Sequence, residues 1–356
     1  KYCVANNKHT AGYDKTKPSK YILYMDMNQL YAAPMSDYLP VGQFKWWTQE
    51  QLGGEWNSKR IKKMLKADKN IGYTFKVDLK VPVTRKEVKH LTKRQKEDLN
   101  MPECLHDYYN SYPLAPESFL VEEAMLSPMQ RDMRRMGGNK LGKEKKLVPN
   151  LYNKQEYVCD IRLLDFYMDH GLILEEVHEV IQFRQEPFLK EYIDINTELR
   201  KEASKEGNEF KKSFFKLLNN SVFGKTMENV KNRQDFELVT DCKRLAKLQQ
   251  QRKIKNPPYI YGEECVGVDK FKSSVLLDRP IYVGMTILDL AKLVMYRYWY
   301  DYLLKRYDAT KVSLLFTDTD SFCYSVETED VYQDMLDDMK SSDEARHYFD
   351  FSNYPK

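Results

Sequence analysis

The sequence predicts an α+β fold, with antiparallel strands packed by helices, and three stretches predict it. Val312 to Val326, VSLLFTDTDSFCYSV, places two β-branched and aromatic runs around a short Thr317-Asp318-Thr319-Asp320-Ser321 turn, the pattern of a β-hairpin. Ile195 to Glu206 and Glu209 to Phe223 read as two helices broken by Gly207-Asn208, a helical hairpin. Thr286 to Tyr307 reads as one long helix capped by Thr286, whose stripe of Tyr296, Trp299, Tyr300 and Leu303 belongs in a core.

The remaining elements follow in chain order. Residues 1–20 are polar and form a loop into Tyr21-Ile22-Leu23-Tyr24-Met25, an apolar run short enough for a buried strand. That run ends on Asp26, and residues 27–35 turn into a short helix. Lys59 to Lys69 is helical, Gly72 to Leu79 alternates as a strand, and Val88 to Tyr109 is charged and interrupted by Pro102. No chemistry is assigned to Val41 to Leu126. Arg131 to Lys146 is the densest basic patch, with Arg131, Arg134, Arg135, Lys140, Lys143, Lys145 and Lys146 against Asp132 and Glu144. Its Gly137-Gly138-Asn139 turn predicts a flexible loop, either solvated or in contact with phosphates. Tyr157 to Gly171 alternates and then turns helical, and Leu172 to Phe183 is a strand. Asp235 to Val268 is polar and Lys-rich, Pro280 to Gly284 is a short strand or turn, and Asp330 to Asp350 is an acidic helical surface segment.

The 356 residues suffice for two or three structural units, and 42% hydrophobic with 31% charged residues is a globular composition. A net charge of +4 implies no nucleic-acid partner by itself, so local clusters must carry that case. Six scattered cysteines without a CxxC pair read as reduced thiols of an intracellular protein. No long apolar run suggests a membrane span, and the absence of ordinary termini suggests a piece of a longer chain.

Three carboxylates stand out. Asp is depleted in strands, and two carboxylates side by side repel each other, yet Asp318 and Asp320 sit at a hairpin tip. A divalent cation would answer both problems; an ordinary polar turn is the other reading. Asp26 ends a buried strand, where it serves either as a functional group or as a helix N-cap. On the second hairpin helix, Lys212, Lys216, Asn220 and Phe223 fall within about 80° of one another. Phe214, Leu217, Leu218, Ser221 and Val222 cover the other side, which reads as core. Lysines at i and i+4 repel, which an anionic ligand would reverse. Three acidic groups with a Lys/Asn/aromatic face suit a phosphoryl transfer assisted by two metal ions.

These residues resemble the family B DNA polymerases, and among them the protein-primed branch of viruses and of Polinton/Maverick-type transposons. Asp26-Met27-Asn28-Gln29-Leu30-Tyr31 is similar to motif A, D-x-x-S-L-Y-P, with Gln29 and Ala32 in place of Ser and Pro. Lys216 to Gly224, KLLNNSVFG, resembles motif B, K-x3-N-S-x-[YF]-G, and Thr317 to Ser321 resembles the D-T-D-S of motif C. The stretches LLFTDTDS, FFKLLNNSVFGKTMEN, PIYVGMTILDLAKLVMY and FSNYPK look closest to the transposon and large-virus enzymes.

The resemblance implies a right-hand palm with an antiparallel sheet, plus a helical-hairpin fingers subdomain. It divides the chain into a palm with motif A (1–40), an elaboration or insertion that contacts terminal protein or DNA (41–190), fingers with motif B (191–225), a second insertion (226–280) and a palm with motif C (281–356), cut before the thumb. It implies two Mg²⁺ ions, replaceable by Mn²⁺, on Asp26, Asp318 and Asp320. Tyr31 would exclude a 2′-hydroxyl, Lys212 and Lys216 would meet the triphosphate, and Asn220, Phe223 and Gly224 would line the nascent base pair. Lys292, Arg134 and Arg135 would contact DNA. The expected partners are primer-template DNA, dNTPs and a priming protein, with no membrane. The expected place is inside a cell, in the nucleus if the source is a eukaryotic mobile element. An inactive transposon relic that binds nucleic acid is the alternative.

Overall fold

The computed structural model describes residues 3–138, 141–251, 254–341 and 349–351. Twelve strands lie among them: β1 Lys20–Asp26, β2 Leu39–Trp46, β3 Ile71–Lys80, β4 Glu117–Phe119, β5 Lys146–Val148, β6 Lys154–Asp160, β7 Ile173–Glu186, β8 Asp235–Val239, β9 Tyr259–Ile260, β10 Val266–Lys270, β11 Val312–Asp318 and β12 Ser321–Glu327. The chain divides into two units, one of residues 1–188 with 288–356, the other of residues 189–287. Its antiparallel sheets with packed helices make it the expected α+β protein.

In the first unit the hairpin predicted from VSLLFTDTDSFCYSV forms, and β12 pairs on its other side with β1, giving the order β1-β12-β11. Tyr21 and Leu23 of β1, Phe322, Tyr324 and Val326 of β12, and Val312 and Leu314 of β11 are buried. Against them packs the π-helical stretch Arg297–Leu303, which continues the helix Ile281–Tyr296. There Trp299 stacks on Phe322 at 6.0 Å, and the Tyr298 hydroxyl lies 2.8 Å from that of Tyr324. The expected aromatic stripe is core, with Tyr296, Trp299, Tyr300 and Leu303 all buried.

The helix starts five residues earlier than the sequence suggested. Pro280 to Gly284 is neither strand nor turn but leads into its first turn, and Thr286 is interior, donating to the Tyr282 carbonyl at 3.0 Å. Local propensity at Ile281, Val283 and Gly284 is overridden by packing within the second unit. A Cβ on Gly284 would lie 2.3 Å from Met227 Sδ and 2.6 Å from Thr226 Oγ1, so only glycine permits that approach.

A second antiparallel sheet, β2-β7-β3-β6, holds part of the stretch to which no chemistry was assigned. Phe75, Val77 and Leu79 alternate inward from β3, and Leu163, Leu164 and Tyr167 of the helix Ile161–Asp169 are buried with them. Arg131 to Gly137 is helical, not a loop. Ser127 and Gln130 form a capping box, Pro128 starts the helix Pro128–Gly137, and Gly138 ends it at φ +63°. Lys140 and Asn139 lie outside the described residues, as do 342–348 of the acidic segment and 352–356 of FSNYPK. The acidic segment is helical over Val331–Lys340. All six cysteines are free.

One buried group sets a pH dependence. His170 is buried, with Nδ1 3.2 Å from the Tyr108 hydroxyl and Nε2 3.4 Å from Asp301, and Asp169 and Lys305 also act on it. Burial pushes its pKa down, the Asp301 carboxylate opposing. Below about pH 6.5 the unfolded imidazole therefore binds a proton that the folded one resists, so stability falls as pH falls. The melting temperature is expected to drop from pH 7 to pH 5.5, with a shallower slope in His170→Gln. An unchanged slope would remove His170 from the account.

The second unit contains the helical hairpin Lys190–Lys205 and Glu209–Thr226 and the sheet β8-β10-β9, whose small core is Val239, Leu248 and Val268.

Candidate active site

Asp26 is the last residue of β1 and Asp318 the last of β11, and both are register partners of the same residue, Ser321, on the central strand β12. Directly opposed residues in a sheet point to one face, so both carboxylates project from the open side of the sheet. Their Cα atoms are two strand spacings apart, about 10 Å. Both residues are exposed.

A β-bulge makes this arrangement. Leu314 pairs with Tyr324, but Phe316, not Leu315, faces Cys323. Strict alternation from buried Val312 and Leu314 would turn Asp318 toward the core. The extra residue Leu315 reverses the phase, which is how bulges re-aim side chains.

The turn completes the cluster. Thr319 adopts φ +52°, and the Asp320 amide donates to the Asp318 carbonyl at 2.6 Å. The Asp320 carbonyl accepts from the Met27 amide at 2.7 Å, tying the hairpin tip to the residue after Asp26. Thr319 Oγ1 donates to Asp318 Oδ1 at 3.3 Å. Tyr31 precedes the short helix Ala32–Met35, and Asp26 does not cap that helix. Burial, with the nearby Asp320 carboxylate, pushes the Tyr31 phenol up, which places Tyr31 within electrostatic reach of Asp320. Asp26, Asp318 and the turn bearing Asp320 thus lie at one end of this sheet, from segments almost 300 residues apart, but among the described residues the set of acidic and imidazole groups with ligand atoms within 4.8 Å of one another is instead Asp78, Glu176 and His178.

The hairpin helix Glu209–Thr226 presents Lys216, Asn220 and Gly224 to solvent, with Lys212 and Phe223 half-buried. Lys212 pairs with Glu209 at 3.1 Å. A Cβ on Gly224 would meet nothing within 4 Å. The face expected to be core is largely open: Phe214 is 45% and Leu217 64% exposed. The buried line instead runs through Asn219 and Thr226, because the partner helix packs there with Ile193, Asn196 and Ala203. Counting large apolar side chains picked the wrong stripe, since the contact is made by small and amide side chains.

Both amide atoms of Asn219 and Nδ2 of Asn196 are buried without a hydrogen-bond partner. An orphaned buried amide costs about 1–3 kcal/mol. Asn219→Leu is therefore expected to raise the melting temperature of this unit by several degrees. A lower melting temperature would mean that the amide is satisfied in solution.

Two of the three expected DNA contacts have other engagements. Lys292 lies 3.3 Å from Asp289, whose carboxylate is buried and accepts from the Asp160 amide at 2.9 Å. Arg134 pairs with Glu123 at 3.5 Å, and Arg135 is exposed on the helix Pro128–Gly137. Sequence reasoning missed Arg162, which grips Asp160 with Nε at 2.8 Å and Nη2 at 3.0 Å. Its Nη1 donates to the Tyr38 carbonyl at 3.1 Å and faces Asp37 at 3.4 Å. Arg162 thereby anchors the segment that follows Tyr31 and the short helix. An Asp-x-Arg at a strand-to-helix step was the available signal.

Residues 143–303 match the family described as DNA polymerase type B, organellar and viral. The matched segment includes Lys212 to Gly224 and Lys292, starts after Asp26 and Arg135, and ends before Asp318. No curated protein matches the chain. Among solved structures, Phi29 DNA polymerase in its orthorhombic crystal form is similar, at 14% identity and a TM-score of 0.42 over 94% of this chain and 44% of that one. Phi29 DNA polymerase complexed with primer-template DNA, a post-translocation binary complex, is similar at 14% identity and 0.40 over 91% and 42%. The chain spans less than half the length of these solved polymerases. It is thus the segment 143–303 that carries the likeness to the organellar and viral type B DNA polymerases.

Proposed function

We propose that the chain carries the nucleotidyl-transfer site of a DNA-directed DNA polymerase that adds dNTPs to a primer 3′-hydroxyl, or to a hydroxyl of a priming protein, in the replication of a mobile element or virus. The observation that carries this reading is the convergence of Asp26 and Asp318 on one open sheet face across Ser321. The donor set fits a hard divalent cation: three carboxylates, all oxygen ligands, with Asp318 and Asp320 in no salt bridge among the described residues. Two Mg²⁺ ions, or Mn²⁺ in their place, would supply charge to the attacking and leaving oxygens of an in-line displacement.

The protein's own groups do the rest. Asp26 and Asp318, fixed by strand pairing, would hold the ions, with Asp320, whose carbonyl accepts from the Met27 amide, as a further ligand. Tyr31 limits room at the sugar 2′-position. Lys212 and Lys216 neutralise the incoming triphosphate, and Asn220, Phe223 and Gly224 serve the new base pair. Lys292 and Arg135 contact the DNA backbone, with Arg134 supporting. We assign the reaction to the interior of the cell that replicates the element.

Single-nucleotide extension of a primed DNA template tests the reading. Incorporation of the dNTP complementary to the template, present with Mg²⁺ or Mn²⁺ and absent with EDTA, is the expected result. No incorporation under either metal would overturn the reading in favour of an inactive relic.

A further inference from the structure

The sheet β2-β7-β3-β6 carries a cluster of side chains that the polymerase reading does not use. Asp78 lies on β3, Glu176 and His178 lie on β7, and these two strands are neighbours in the middle of the sheet. Val77 and Leu79 point into the core, so Asp78 between them points out. Glu176 is its register partner and leaves the same face. His178 joins them through a bulge. Val77 faces Val177 but Lys76 faces Glu179, so His178 is the extra residue, turned toward Asp78 instead of opposing Lys76. The ring then lies between two carboxylates, with Nε2 2.8 Å from Asp78 Oδ1 and Nδ1 3.8 Å from Glu176 Oε1.

We propose that Asp78, Glu176 and His178 form a site for a single Zn²⁺ ion, independent of the polymerase reading. Charge argues for a cation. Among the described residues neither Asp78 nor Glu176 pairs with a lysine or arginine. Lys76, the next outward residue of β3, is taken by Glu156 at 3.0 Å and Glu179 at 3.6 Å. A neutral imidazole that donates from Nε2 to Asp78 turns the lone pair of Nδ1 toward the Glu176 carboxylate, so two electron-rich groups face each other. A divalent ion accepts both. The donor types argue for zinc, because an imidazole nitrogen with carboxylate oxygens suits Zn²⁺, whereas Mg²⁺ and Ca²⁺ take oxygen shells. Metal–ligand bonds of about 2.0–2.2 Å set neighbouring donors roughly 3–3.5 Å apart, a small side-chain rotation from the distances here. The Glu156 amide donates to Asp78 Oδ1 at 2.7 Å, the kind of outer hydrogen bond that orients a carboxylate ligand. Glu176 is exposed, so the ion enters from solvent and retains a position for water. Bound there, it ties β3 to β7 where the bulge interrupts their ladder.

Calorimetric titration of the full chain with Zn²⁺, in excess Mg²⁺ to fill oxygen-only sites, tests the proposal. The wild type is expected to take up one Zn²⁺ ion whose affinity falls about a hundredfold or more in Glu176→Gln and in His178→Gln, at or beyond the loss that an outer partner causes. Glu176 is at the surface, so Glu176→Gln keeps the fold and its lost binding is not a loss of structure. Zn²⁺ should raise the melting temperature of the wild type and leave that of both variants unmoved. In the histidine side-chain NMR spectrum, the ring signals that vanish in His178→Gln should be those that shift first with Zn²⁺, ahead of the other five histidines. Asp318→Asn should keep this zinc step, and its loss there would overturn the site by assigning the ion to the Asp26–Asp318 face. Equal uptake by the wild type and Glu176→Gln would also overturn it, as would His178 signals that stay still or no zinc uptake at all.

Discussion

Asp318→Asn is expected to reduce metal-dependent dNTP incorporation on the order of 10³-fold or more. The amide is nearly isosteric and keeps an oxygen for the Thr319 hydroxyl to approach, but it removes the charge that balances a divalent ion. Asp318 ends β11 and is exposed, so the substitution disturbs no packing. It also takes away one of three neighbouring like charges, so the melting temperature should stay level or rise slightly. Loss of activity with retained stability is therefore the signature. Retained incorporation would remove Asp318 from the site, and lost incorporation with a collapsed melting curve would leave only a structural role.

The second large effect is on stability. Arg162→Met keeps most of the side-chain volume but strips the partner from Asp160, whose side chain is 2% exposed and which hydrogen-bonds to the buried Asp289. Breaking a buried, hydrogen-bonded ion pair from one side costs about 3–5 kcal/mol. Burial already pushes the Asp289 carboxyl up, with Lys292 holding it down, so this cluster has little spare compensation. A fall of about 10 °C in melting temperature is expected for a unit of this size. The Asp160→Asn, Arg162→Met pair should recover part of the loss, because no uncompensated charge then remains. A shift under 2 °C for Arg162→Met, against the scale expected from that cost, would show the cluster to be wet and well screened.

Much of this protein was legible in the chain because the signals were local. Apolar runs bounded by Asp26 and by the D-T-D-S turn gave β1 and the β11-β12 hairpin, and Gly207-Asn208 gave the break between two helices. Periodic aromatic spacing placed Tyr296, Trp299, Tyr300 and Leu303 inside. Capping was misread at Thr286 and in the Arg131 to Lys146 segment. In the first, packing around Gly284 outweighed weak local propensity; in the second, the Ser127/Gln130 box was passed over for the glycines that end its helix.

What the sequence by itself determined was the set of candidate residues and the elements bearing them: Asp26, Tyr31, Asp318 and Asp320 at strand ends and turns, and Lys212 to Gly224 on one helix. Those depend on short-range pattern and residue chemistry. Tertiary structure alone decided which face each side chain takes. Strict alternation along β11 would have buried Asp318; pairing with β12 forced Leu315 into a bulge and turned Asp318 and Phe316 outward beside Asp26 and Tyr24. The partner helix likewise chose Asn219 over Leu217 as the inner face of the second hairpin helix. A strand or helix has several faces it could bury, and only the partner that packs against it selects one.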